Sequence, residues 1–131
     1  MEESLSIEIQ ETDQHLVAIV SGKLTYGNAK ELIDLLESES RERGYDLFLV
    51  DMLQTGPPEK EIHRFYLGEY AASTLRKELK VAIVYPEELI NKFFENTAVN
   101  RGATLTVVGD RVEALSWLLE QLPDESDKGV A

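Results

Sequence analysis

The sequence predicts a mainly parallel α/β fold in the order ββαβαβαβα, with an antiparallel edge from an N-terminal hairpin and helices packed on the sheet. Three observations predict it. Two short apolar runs open the chain with only a polar turn between them. Helical and strand-like apolar patterns then alternate, which argues for parallel strands joined by crossover helices. Glycines and prolines punctuate the boundaries at Gly44, Pro57, Pro58, Pro86, Gly102 and Pro123.

Each element has its own reason. Leu5, Ile7 and Ile9 alternate with polar residues, the period of a half-buried strand. Glu11-Thr12-Asp13-Gln14 is a polar turn, and His15 to Ser21 is a second, more continuous strand, so the two form a hairpin. His15 is expected to be exposed beside that turn. Thr25 is placed to cap a helix whose apolar positions, Ala29, Leu32, Ile33 and Leu36, recur at helical spacing, and Gly44 is placed to stop it. Asp46 to Asp51 reads as a buried strand, followed by a loop through Thr55 and Gly56. Residues 59–79 read as one helix with Ile62, Phe65, Gly68, Ala72, Leu75 and Leu79 on its inner stripe. Val81 to Tyr85 is a strand, 87–101 a helix and Thr104 to Val108 the last strand. Asp110 and Glu113 resemble a capping box, and Val112, Leu115, Leu118, Leu119 and Leu122 form the expected inner face of the final helix. Residues 1–122 are expected to be a single domain, and 123–131 an acidic, flexible tail.

Composition narrows the function. The chain has 131 residues, a net charge of −12 and no cysteine. That charge repels phosphate, which opposes nucleic acid as a partner. No apolar run is long enough to cross a membrane and the N-terminus lacks a signal-peptide pattern, so a soluble cytoplasmic protein is expected. Disulfides and thiolate chemistry are excluded. The glycines form no phosphate loop, and no metal-ligand spacing is present; no cofactor and no metal are expected.

Three stretches carry a resemblance. VAIVSGKLTYGNAKEL resembles the opening of the STAS domain, a strand ending in a Gly-x-Leu step before the first helix. VAIVYPEELINKFFENTAVNRG and VEALSWLL resemble its divergent SpoIIAA-like, STAS/CRAL-TRIO-like bacterial branch. The resemblance spans about residues 4 to 122. It implies a non-enzymatic regulatory or binding module that works through a protein partner or a small apolar ligand, with a homodimer as one form of partner. In anti-sigma-factor antagonists a serine after the third strand, in an Asp-Ser-Ser-Gly pattern, is phosphorylated and the added charge breaks binding. This chain has Asp51-Met-Leu-Gln-Thr55-Gly56-Pro57-Pro58 there, so Thr55 is the corresponding candidate acceptor. The same stretch looks like a receiver phosphorylation site at Asp51. A receiver, however, needs an acidic pair after its first strand and a lysine after its last, and this chain supplies neither.

The candidate ligand or partner surface is Asp51, Met52, Thr55, Tyr66, Leu67, Tyr70 and Tyr85. Tyr66, Leu67 and Tyr70 fall off the inner stripe of the 59–79 helix, which suits either a second burial or a partner. A pocket is expected at the carboxyl ends of the strands, rimmed by Leu24, Thr25, Asp51, Met52, Tyr85 and Pro86. Glu59 and His63 stand i, i+4 and are expected to pair. No residue is assigned as catalytic. A small enzyme would have to use Asp51 with His63, and would need them within hydrogen-bond reach.

Overall fold

The strands run in sheet order as they run in sequence. The structure, a computed structural model describing residues 4–120, has a five-stranded sheet ordered β1-β2-β3-β4-β5. β1 (Ser6–Glu11) pairs antiparallel with β2 (Leu16–Gly22), and β3 (Leu47–Thr55), β4 (Lys80–Val84) and β5 (Thr104–Val108) follow in parallel. Each crossover steps one strand in the same direction. Right-handed connections therefore put the three crossover helices on one face. These are α1 (Tyr26–Arg43), α2 (Ile62–Thr74) and α3 (Phe93–Asn100). After β5 no further strand calls for a crossover, and α4 (Arg111–Leu119) folds onto the other face.

Strand alternation divides the core accordingly. Leu16, Ala18, Val20, Phe48, Val50, Val81 and Leu105 pack beneath α1 to α3. Val17, Leu49, Ala82, Val84 and Val108 pack beneath α4, with Ala114 and Leu118.

The α1 boundaries follow from side-chain chemistry. Thr25 is the N-cap: its hydroxyl accepts from the Asn28 amide at 3.0 Å, and Asn28 Oδ1 accepts in return from Thr25 N at 2.8 Å. Gly44 closes the helix at φ 77°, a conformation that costs glycine little.

Two helices are rotated from the face that periodicity suggests. α2 is shorter than the expected 59–79 helix, and its buried residues are Arg64, Leu67, Gly68 and Ala71. Ile62 is exposed, and Leu67, expected off the inner stripe, is core. In α4 the buried residues are Ala114 and Leu118, while Val112 is exposed. The expected 87–101 helix is broken. A 3-10 turn at Glu87–Leu89 gives way to an extended step, and α3 starts only after Lys92. Asn91 Oδ1 accepts from Phe93 N at 3.0 Å, a local bond that competes with helix continuation. The tail 123–131 lies outside the described residues.

His15 is buried, not exposed. Its Nδ1 lies 3.0 Å from the Thr12 hydroxyl. Burial first, and then the Arg111 charge, push its pKa below the ordinary value. The unfolded chain therefore binds the extra proton first. Stability on this account is complete above about pH 6.5 and declines as pH falls from there toward the lowered folded value. Thermal melts between about pH 5 and 6.5 should show a falling Tm, and His15→Gln should flatten that slope. An unchanged slope in the variant would assign the effect to other groups.

Candidate functional site

β3 does not end at Asp51. It continues to Thr55 through a bulge: Ile19 pairs with Asp51, but Ser21 pairs with Gln54, so β3 carries one extra residue. This bulge decides the fate of the residues the sequence singles out. Asp51 points to the α4 face. One carboxylate oxygen accepts from Leu53 N at 3.1 Å inside the bulge, and the other pairs with Arg111 Nε at 3.0 Å. Met52 points to the opposite face, into the core. Thr55 is 8% exposed, and its hydroxyl donates to the Met52 carbonyl at 2.8 Å. The expected loop with an accessible hydroxyl is thus a bulged strand end with a bonded one.

Asp51 and His63 do not meet. Asp51 is held beneath α4, whereas His63 stacks on Tyr26 of α1, ring centroids 4.8 Å apart, on the other side of the sheet. Glu59 precedes the start of α2, and among the described residues it forms no ion pair with His63. The His63 Nδ1 atom is buried without a hydrogen-bond partner.

Between the sheet and the crossover helices lies an apolar cavity of about 100 Å³. Its floor is Val50, Met52, Ile83 and Val107, and α1 contributes Leu32, Ile33 and Leu36. α2 covers it with Leu67 and Arg64, and the broken segment before α3 supplies Ile90, Asn91 and Lys92. Of the expected pocket residues, Leu24, Met52, Leu67 and Tyr85 stand in its wall. Asp51, Thr25, Thr55 and Pro86 do not: Asp51 is turned to the α4 face, Thr55 bonds back onto Met52, Thr25 caps α1 and Pro86 opens the 3-10 turn. Tyr66 and Tyr70 lie outside, along a shallow groove with Tyr26 and Arg101. Tyr70 donates to Asp34 at 2.6 Å, and Lys30 Nζ sits 4.9 Å from its ring.

Several lining residues of this apolar cavity carry polar groups that are bonded to the protein around it. Tyr85 donates to the Gly56 carbonyl at 2.6 Å, and burial pushes its phenol pKa up against the pull of Arg64. Arg64 is 8% exposed, and its Nε donates to Glu61 at 3.0 Å. Asn91 Nδ2 donates to that same Glu61 oxygen at 3.0 Å, joining α2 to the broken segment. Lys92 adopts φ 68°, an uncommon conformation for a residue with a side chain. Its Nζ contacts Glu95 at 3.0 Å and the Val107 carbonyl at 3.3 Å. Glu95 also accepts from Val107 N at 2.9 Å. Sequence reasoning missed Arg64, Asn91, Lys92 and Glu95. One signal for Arg64 was present: a lone arginine among Phe65, Leu67, Gly68 and Ala71.

No protein-family model matches the chain, and no curated protein matches it. Solved structures do. An anti-sigma factor antagonist from Mycobacterium paratuberculosis superposes with a TM-score of 0.60 at 13% identity, covering 87% of this chain and 93% of that one. A protein of the DUF3478 family with a SpoIIAA-like fold, from Shewanella loihica, superposes with a TM-score of 0.55 at 22% identity, covering 90% and 96%. The chain has a STAS/SpoIIAA-like fold, with the antiparallel edge and parallel sheet that its sequence predicts.

Proposed function

We propose that the protein is a non-enzymatic, STAS-like binding module that holds a small apolar ligand beneath α2. The observation that carries this reading is the apolar cavity between sheet and crossover helices. Interiors are packed with few voids larger than a water, and dry apolar cavities of this scale bind small hydrocarbons. Its position under α2 also supplies a route to regulation. A ligand there touches Leu67 on the helix underside, and the same helix presents Ile62 and Tyr66, 46% and 45% exposed, to the outside.

Native mass spectrometry of the purified protein, followed by titration with toluene monitored by amide NMR, tests the reading. The expected result is either an added mass that is lost on denaturation, or toluene shifts centred on Met52, Leu67 and Ile90. A bare native mass together with an unmoved spectrum would overturn it.

A protein partner is the second reading. It is favoured by the outward cluster of Tyr26, Phe65, Tyr66 and Phe93, whose rings stand within 6.3 Å of one another in successive pairs. The antagonist from Mycobacterium paratuberculosis is named for action on another protein, which supports it. A phosphorylation switch at Thr55 has less support, because a kinase would first have to unseat a buried, bonded hydroxyl.

A further inference from the structure

Arg64 gives the cavity a chemical preference. A guanidinium carries five N–H donors and stays charged. Among the described residues, the Arg64 side chain makes a single hydrogen bond, from Nε to Glu61. Its two terminal nitrogens have no protein acceptor, although the residue is 8% exposed and stands in the cavity wall. Those nitrogens are not among the buried atoms left without a partner, so they keep contact with solvent, which a ligand anion would displace. Glu61 is a weak counter-charge: its side chain is 66% exposed, so water screens it, and it is shared with Asn91.

The other charges at the cavity are already matched. Glu95 is held by Lys92 Nζ and by the Val107 amide. Tyr85 is committed to the Gly56 carbonyl. What remains is an apolar chamber with one under-used, fork-shaped donor in its wall. The matching ligand has an apolar body and a planar anionic group.

Resting on the cavity reading above, we propose that the ligand is a small carboxylate, with its apolar body in the chamber and its two oxygens on the Arg64 terminal nitrogens. A volume of about 100 Å³ sets the scale of the body at roughly one aromatic ring or a short branched chain. The net charge of −12 works against any anion at long range. That repulsion is screened within about 8 Å at physiological salt, whereas a buried pair is screened far less. Moderate salt is therefore expected to tighten carboxylate binding rather than weaken it.

The test compares benzoate with benzyl alcohol and toluene, which share a ring and differ in charge and hydrogen bonding. Binding is read by NMR titration on the full chain, with Arg64→Met and Arg64→Lys as variants and amide spectra as the check on folding. Benzoate is expected to bind about tenfold more tightly than the alcohol, the scale of one charge-assisted hydrogen bond. Arg64→Met should erase that preference and leave toluene binding in place. Arg64→Lys should keep part of it. Toluene and alcohol binding as tightly as benzoate would overturn the carboxylate inference and leave the apolar site standing. Benzoate binding that is indifferent to both variants would overturn it too. Failure of all three probes would remove the ligand site itself.

Discussion

Gly68→Val is expected to destabilise the fold by about 3 kcal/mol and to part α2 from α3. A Cβ built at Gly68 would lie 2.7 Å from Thr97 Cβ and 2.9 Å from the Phe94 carbonyl oxygen. Both are fixed points of α3. Thr97 is itself held by a bond from its hydroxyl to the Phe93 carbonyl at 2.8 Å. The helices touch here through their backbones, as small residues allow. Alanine raises helix propensity by about 1 kcal/mol, so Gly68→Ala should lose less than the clash alone would cost. Urea unfolding measures the two losses. Equal stability of Gly68→Val and wild type would mean that α3 shifts without resistance, and the close contact would count for nothing. Because α2 roofs the cavity and α3 follows its broken rim, the same variant should also loosen the chamber.

Arg76→Met is the second large effect, expected at about 2–3 kcal/mol. Arg76 follows α2 and binds two separate parts of the chain. Its guanidinium donates to Glu37 and Ser40 of α1, at 3.3 and 3.1 Å, and to the Tyr45 carbonyl and Asp46 ahead of β3, at 2.9 and 3.0 Å. Its backbone N–H adds a bond to Glu37 at 3.1 Å. Methionine keeps the apolar stem and removes every side-chain donor of residue 76, which leaves Arg41 as the remaining cation on the largely covered Glu37. The direction with pH follows. Burial raises the Glu37 pKa, but the Arg76 amide, Arg41 and the Arg76 charge together hold it below its ordinary value. The contribution is thus present above the unfolded carboxylate value, about 4.3, and is lost as pH falls through the lower folded one. Chemical denaturation at pH 7 and pH 3 should show the Arg76→Met deficit shrinking in acid. A deficit of the same size at both would put the loss in packing and not in the ion pairs.

The fold was legible because its signals are local and redundant. The Thr25 cap, the Ala29–Leu36 stripe and the Gly44 stop all point to one helix, and each strand announces itself by an apolar run. The site was less legible, for a physical reason. Periodicity assigns a helix face by counting apolar residues, and in α2 the buried face includes Arg64 and Gly68 while Ile62 faces water. Shifting the stripe by one residue rotates it by about 100°. The same error turns Val112 outward in α4. The β3 bulge is also invisible in composition, yet one inserted residue carries Thr55 from an expected loop into the strand. Lys92 breaks its helix through a backbone conformation, φ 68°, that no lysine advertises.

The Lys92–Glu95 pair has a meaning beyond the cavity rim. β5 ends the sheet, and a terminal strand offers bare N–H and C=O groups on which a foreign strand can template itself. At Val107 both groups are taken, the N–H by Glu95 and the C=O by Lys92. The opposite margin, β1, is studded with Glu8, Gln10 and Glu11. The two borders are thus guarded by unlike means, one covered rung at Val107 and acidic side chains along β1. A chain built this way withholds part of each sheet margin from a neighbour's strand.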